Sequence, residues 1–115
     1  MRKASIMLLA VALTALCLSG CGADSKPQYM SDTGYRMGQK AVEITEQYLN
    51  LEIDADEAHA QLGDVYDRLE SQETSEIQDN SVKSVILSLQ AHLLSGADDS
   101  VIDETLERLK DILKG

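Results

Sequence analysis

From Met37 to Leu113 the apolar residues of this chain recur at steps of three and four, and no stretch alternates apolar with polar residues as a strand would. That rhythm restricts the fold to helices packed on helices. Met37, Ala41, Ile44, Tyr48 and Leu51 form one stripe, widened by Val42, Thr45 and Leu49. The first helix is expected from about Gly34 to Asn50. Asp54 then stands where an N-cap belongs, with Glu57 three residues on and Ile53 as the apolar residue before the cap. Ala55, Ala58, Leu62, Val65 and Leu69 carry the second helix to about Ser71.

The stretch SQETSEIQDNS breaks the rhythm, and residues 72–80 read equally as a loop or as the polar first turns of the next helix. That third helix is defined from about Ser81 to Leu94 by Val82, Val85, Ile86, Leu89 and Leu93, and Gly96 suits its C-cap. Asp99 or Ser100 opens the last helix, with Ile102, Thr105, Leu106, Leu109, Ile112 and Leu113 inward. Asp64 with Arg68, and Glu104 with Arg108, have the spacing of exposed helix ion pairs. The expected fold is all-α, a small three- or four-helix bundle: four amphipathic helices with short connections, or three around a core with one looser.

The third helix carries a second apolar line. Leu87, Ala91 and Leu94 share a face opposite the main stripe. A helix apolar all round is usually packed on two sides, and that buried arrangement is the expectation preferred here. The alternative is a surface that receives a partner protein.

The N-terminus obeys different rules. Arg2 and Lys3 precede an apolar run from about Ile6 to Leu18, followed by Leu18-Ser19-Gly20-Cys21. The run is shorter than the roughly 20 apolar residues of a membrane span, and its zones are ordered as in an export signal. Leu18-Ser19-Gly20-Cys21 resembles a bacterial lipobox at every position. The resemblance implies that Leu18, Ser19 and Gly20 guide a signal peptidase, that residues 1–20 are removed, and that Cys21 receives a diacylglycerol group. Two acyl chains, at about 0.8 kcal/mol per buried methylene, anchor stably where one would not. The stretch YRMGQKAVEITEQYLNLEIDADEAHAQL is loosely similar to small helical lipoproteins of Gram-positive bacteria, a likeness that imports no activity. The expected organisation is therefore a cleaved leader (1–20), a lipidated Cys21 with a flexible tether (21–33), and an acidic helical domain (34–115). The resemblance implies a place on the outer face of a bacterial cell membrane.

Composition narrows the function. Cys17 and Cys21 are the only cysteines; one leaves with the leader and the other is acylated, so neither a disulfide nor a free thiol is expected in the mature domain. Ten basic residues face twenty acidic ones, and loss of Arg2 and Lys3 takes the charge from −10 to −12. Such a body is a poor partner for nucleic acid, whose affinity comes largely from Lys and Arg on phosphates.

Reaction centres are not evident. Asp54 and Asp56 hold the first and third places of a calcium-loop pattern, but Ala58 and His59 occupy the fifth and the glycine position. His59 and His92 lie far apart in sequence and outside any zinc motif. No nucleophile motif accompanies the serines, and there is no Trp or Phe to line a pocket. No metal or cofactor is expected, and an enzyme is the least favoured class. Two functions stay open: a non-enzymatic envelope interaction module that binds a protein through a helical face, and a small-ligand- or cation-binding accessory lipoprotein of a transport system.

Overall fold

The computed structural model describes residues 26–73 and 75–115. Among them are four helices: α1 (Asp32–Leu49), α2 (Ala55–Glu70), α3 (Ile77–Ser95) and α4 (Asp99–Lys114). Each packs on its chain neighbours, and α1 closes the ring on α4. α1 and α3 also touch across the centre, whereas α2 and α4 do not. Short connections make successive helices antiparallel, and the side chains agree. Early α2 meets late α3 where Gln90 Nε2 donates to the His59 carbonyl at 3.3 Å. Late α2 meets early α3 through Lys83 and Glu70 at 3.1 Å. The fold is the expected small all-α bundle, in its four-helix form.

Local chemistry sets the helix ends. The Asp54 carboxylate accepts from Glu57 N–H at 2.8 Å, which starts α2 where the sequence places it. α1 begins two residues earlier than expected, because the Ser31 hydroxyl caps Gly34 N–H at 2.9 Å. α3 begins at Ile77 with a capping box between Glu76 and Asp79, so of the ambiguous stretch 72–80 the last four residues, 77–80, are helix and the described residues before them are not. It ends on Gly96 in the left-handed region, φ 74°, a conformation that costs a side-chain-bearing residue energy. Leu51, counted with the α1 stripe, is corrected by the structure: α1 has ended, Leu51 turns outward at φ 64°, and it is 88% exposed.

The core draws on every helix, with Ile44, Leu62, Leu69, Ile86, Leu89, Ile102 and Leu109 fully buried. The inward residues expected for α2 and α3 from Ala58 to Leu93 are all buried. Two threonines sit among them without penalty, since Thr45 and Thr105 donate to the carbonyls of Ala41 and Val101 one turn back. The ion pairs expected within α2 and α4 do not form: neither Asp64–Arg68 nor Glu104–Arg108 comes within 4 Å. The charged contacts between helices are instead Lys83–Glu70 and Lys110–Glu46.

The boundary of the domain also moves. The tether was expected to run to Thr33, yet Pro27 and Met30 are buried and Met30 belongs to the core. Gln78 N–H donates to the Tyr29 carbonyl at 2.9 Å, which ties this segment to the first turn of α3. Gly115 lies against Pro27, so the last described residue meets one of the first. The leader, the lipobox and Cys21 lie outside the described residues. Among the described residues, no helix is long and apolar enough to cross a membrane.

Candidate functional site

α3 positions the face that the sequence singles out. Val82, Val85, Ile86, Leu89 and Leu93 point inward and are buried, which fixes the rotation of the helix. Leu87, Ala91 and Leu94, four and three residues apart, then emerge together on the other side. Leu87 is 47% and Leu94 78% exposed, and Ala91 is exposed between them. The preferred expectation, that this face is packed within the bundle, is therefore overturned. α3 has neighbours in α2, α4 and α1, and none of them covers this side. The residues around it on the helix are polar, among them Lys83, Ser84, Ser88, Gln90 and Ser95.

A second arrangement was not singled out by sequence. Asp79 is a fully buried carboxylate at the start of α3. Its Oδ1 accepts from Ser31 N–H at 3.0 Å. Its Oδ2 accepts from Gln72 Nε2 and from Glu76 N–H, each at 3.0 Å. One side chain thus joins the N-terminus of α1, the α2–α3 connection and the cap of α3. Gly34 permits this approach, because a Cβ there would collide with Asp79 Oδ1. Burial pushes the Asp79 pKa up, but hydrogen bonds from Glu76 N–H, from Ser31 and from Gln72 outweigh it and hold the carboxyl below its ordinary range. With both oxygens engaged and no surface exposed, Asp79 is a fastening rather than an acid–base group.

The remaining polar residues are dispersed. His59 and His92 are half-buried on different helices. Among the described residues no three His, Cys, Asp or Glu side chains converge as metal ligands would. Asp54, the first acid of the calcium-like stretch, is committed to capping α2. A small chain of polar groups joins α2 to α3. The hydrogen bond to Glu70 raises the Tyr66 pKa, and the bond from Lys83 is the main cause of the lowered Glu70 pKa.

Two open clefts flank α1. The one toward α2, about 180 Å³, is lined by Met37, Lys40, Ile44, Gln61, Asp64 and Arg68. The one toward α4, about 440 Å³, is lined by Tyr35, Val42, Leu113 and a charged rim. Lys110 spans the latter, 3.2 Å from Glu46 and 3.4 Å from Glu107. The bond to Glu46 is the main cause of its raised pKa, which partial burial opposes.

The chain matches no protein-family model, and searches of curated proteins and of solved structures return no significant match.

Proposed function

We propose that this chain is a lipid-anchored, non-enzymatic interaction module of the bacterial envelope. On this reading it is exported, cleaved before Cys21, acylated there, and held on the outer face of the membrane. It binds an envelope protein through Leu87, Ala91 and Leu94. The observation that carries the binding role is the exposure of this apolar line on a helix whose inward stripe is already complete. Burying a leucine from water contributes about 1.5–3 kcal/mol, and here that gain is open to a partner without disturbing the core. The anchoring role rests on the lipobox resemblance of Leu18-Ser19-Gly20-Cys21.

The competing role, a small-ligand- or cation-binding accessory of a transport system, would use the α1–α4 cleft. Lys110 is already paired there with Glu46 and Glu107, so the polar groups that would orient a ligand answer one another.

Metabolic labelling with a fatty-acid analogue tests the anchor. Wild-type protein should take up label, and Cys21→Ala should remain an unlabelled, uncleaved precursor; undiminished label in the variant would sink the reading. Crosslinking and pull-down from native membranes test the face. Leu87→Lys with Leu94→Lys should lose a partner that the wild type captures.

A further inference from the structure

The charges of the bundle are segregated along its axis. A cut across the middle of the four helices separates a tether half (residues 26–40, 63–73, 75–86 and 107–115) from a far half (41–62 and 87–106). All eight lysines and arginines of residues 26–115 lie in the tether half, beside nine carboxylates. The far half has ten carboxylates and no lysine or arginine. A net charge near −1 thus sits at one pole and −10 at the other.

The nearly neutral pole is also where the chain enters the bundle. Tyr29 and Ile77 are both exposed there, at 60% and 72%, and the Gln78 N–H bond to the Tyr29 carbonyl ties the Tyr29 backbone to the residue that follows Ile77. An exposed aromatic ring with a polar tip and an exposed aliphatic side chain at one pole suit the boundary between headgroups and acyl chains. Lys26 and Lys114 stand at the same pole, with exposed side chains, each paired with a carboxylate: Asp32 at 2.8 Å and Asp111 at 3.8 Å.

We propose that the bundle stands end-on upon an anionic lipid surface, with Tyr29 and Ile77 in the headgroup layer and the acidic pole directed away. This rests on the acylation of Cys21 set out above. Only five residue steps separate Cys21 from Lys26, a reach of at most about 18 Å. The 19 residues of α3 extend about 28 Å. An inverted bundle is therefore out of reach, because its entry point would lie farther from the lipid than the leash extends. A bundle lying on its side is within reach, and electrostatics opposes it. It would bring carboxylates of the far half toward anionic headgroups, within the roughly 8 Å over which salt leaves charges in contact. Among the described residues, eight of the ten have no lysine or arginine within 4 Å, while Glu43 and Glu46 pair across the cut with Lys40 and Lys110. End-on docking keeps the far-half carboxylates beyond that distance and sets against the lipid the half whose eight basic residues nearly balance its nine carboxylates.

The test uses the full protein expressed in a bacterium, purified from its membranes and reconstituted in vesicles of phosphatidylglycerol and phosphatidylcholine. Single thiols are introduced by Ile77→Cys and, separately, by Glu52→Cys at the far pole; both positions are exposed. Each thiol carries an environment-sensitive fluorophore, and lipids with nitroxide-bearing acyl chains serve as quenchers. Circular dichroism verifies that each labelled variant keeps its helicity. The expected result is quenching at position 77 and none above the lipid-free background at position 52. Quenching at both positions, or at neither, overturns the end-on arrangement. Intact mass on the same samples reports acylation. A protein without lipid overturns the anchor and this orientation together, whereas an acylated protein with no contrast between the positions overturns the orientation alone.

Discussion

Replacing Asp79 by alanine should cost this domain a large part of its stability, although the side chain belongs to none of its apolar stripes. The truncation removes the acceptor for Ser31 N–H, Gln72 Nε2 and Glu76 N–H at once. A donor stranded in a buried site costs about 1–3 kcal/mol, and these three lie in a half-buried pocket that water can partly re-enter. Taking the lower end for each gives a loss of about 3 kcal/mol. A domain of some 90 residues typically holds roughly 5–13 kcal/mol in all. At about 4–8 °C per kcal/mol for this size, the melting temperature should fall by roughly 12–24 °C.

Asp79→Asn should cost less, because it keeps the volume and one acceptor oxygen, but its amide would face a donor. The pH dependence adds a second readout. The folded pKa of Asp79 lies below its unfolded value of about 3.9. Its contribution is therefore full above that unfolded value and is lost as pH falls through the lower folded one. Asp79→Asn should remove that part of the acid slope. Urea titration followed by far-ultraviolet circular dichroism, repeated from neutral pH downward, measures both. A loss under about 1 kcal/mol in Asp79→Ala, within the range of one ordinary hydrogen bond, would refute the reasoning. So would an unchanged acid slope in Asp79→Asn.

Leu62 is fully buried, and Leu62→Ala should destabilise by about 2–5 kcal/mol, read from the same urea titration. Leu87→Lys with Leu94→Lys should leave helicity intact and stability within about 1 kcal/mol of the wild type, because exposed sites tolerate charge. Unfolding of that double variant in a thermal scan would mean that the face is covered after all.

Legibility in the sequence followed the range of the interactions. The start of α2 was readable because Asp54 and Glu57 are three residues apart and the cap is self-contained. The start of α3 uses Glu76 and Asp79, a less familiar pair, and Asp79 is buried only because Ser31, 48 residues away, comes to meet it. Nothing local announces that meeting. Met30 went unread for a similar reason: it follows Tyr29 in a polar segment with no period, and its burial depends on the segment folding back onto the bundle.

The outer face of α3 shows a different limit. Periodicity assigned Leu87, Ala91 and Leu94 to one face correctly, but it carries no information on whether a neighbouring helix covers that face. Leu51 extended the rhythm of α1 by one step beyond its last turn, where φ changes sign and the spacing ceases to describe direction.

The place where the chain joins the bundle determines how a pull on it would be borne. Among the described residues, coming from the N-terminal side, the first backbone bonds to another element are the Tyr29 carbonyl to Gln78 and Ser31 N–H to Asp79, both reaching α3 before α1 begins. Tension from the direction of Cys21 is thus delivered to α3, in the middle of the chain, before it reaches the capped start of α1. α1 cannot be drawn out turn by turn until that clasp has opened. A domain hung in this way behaves under load like a buckle, whole until the fastening yields, rather than like a thread unwinding from one end.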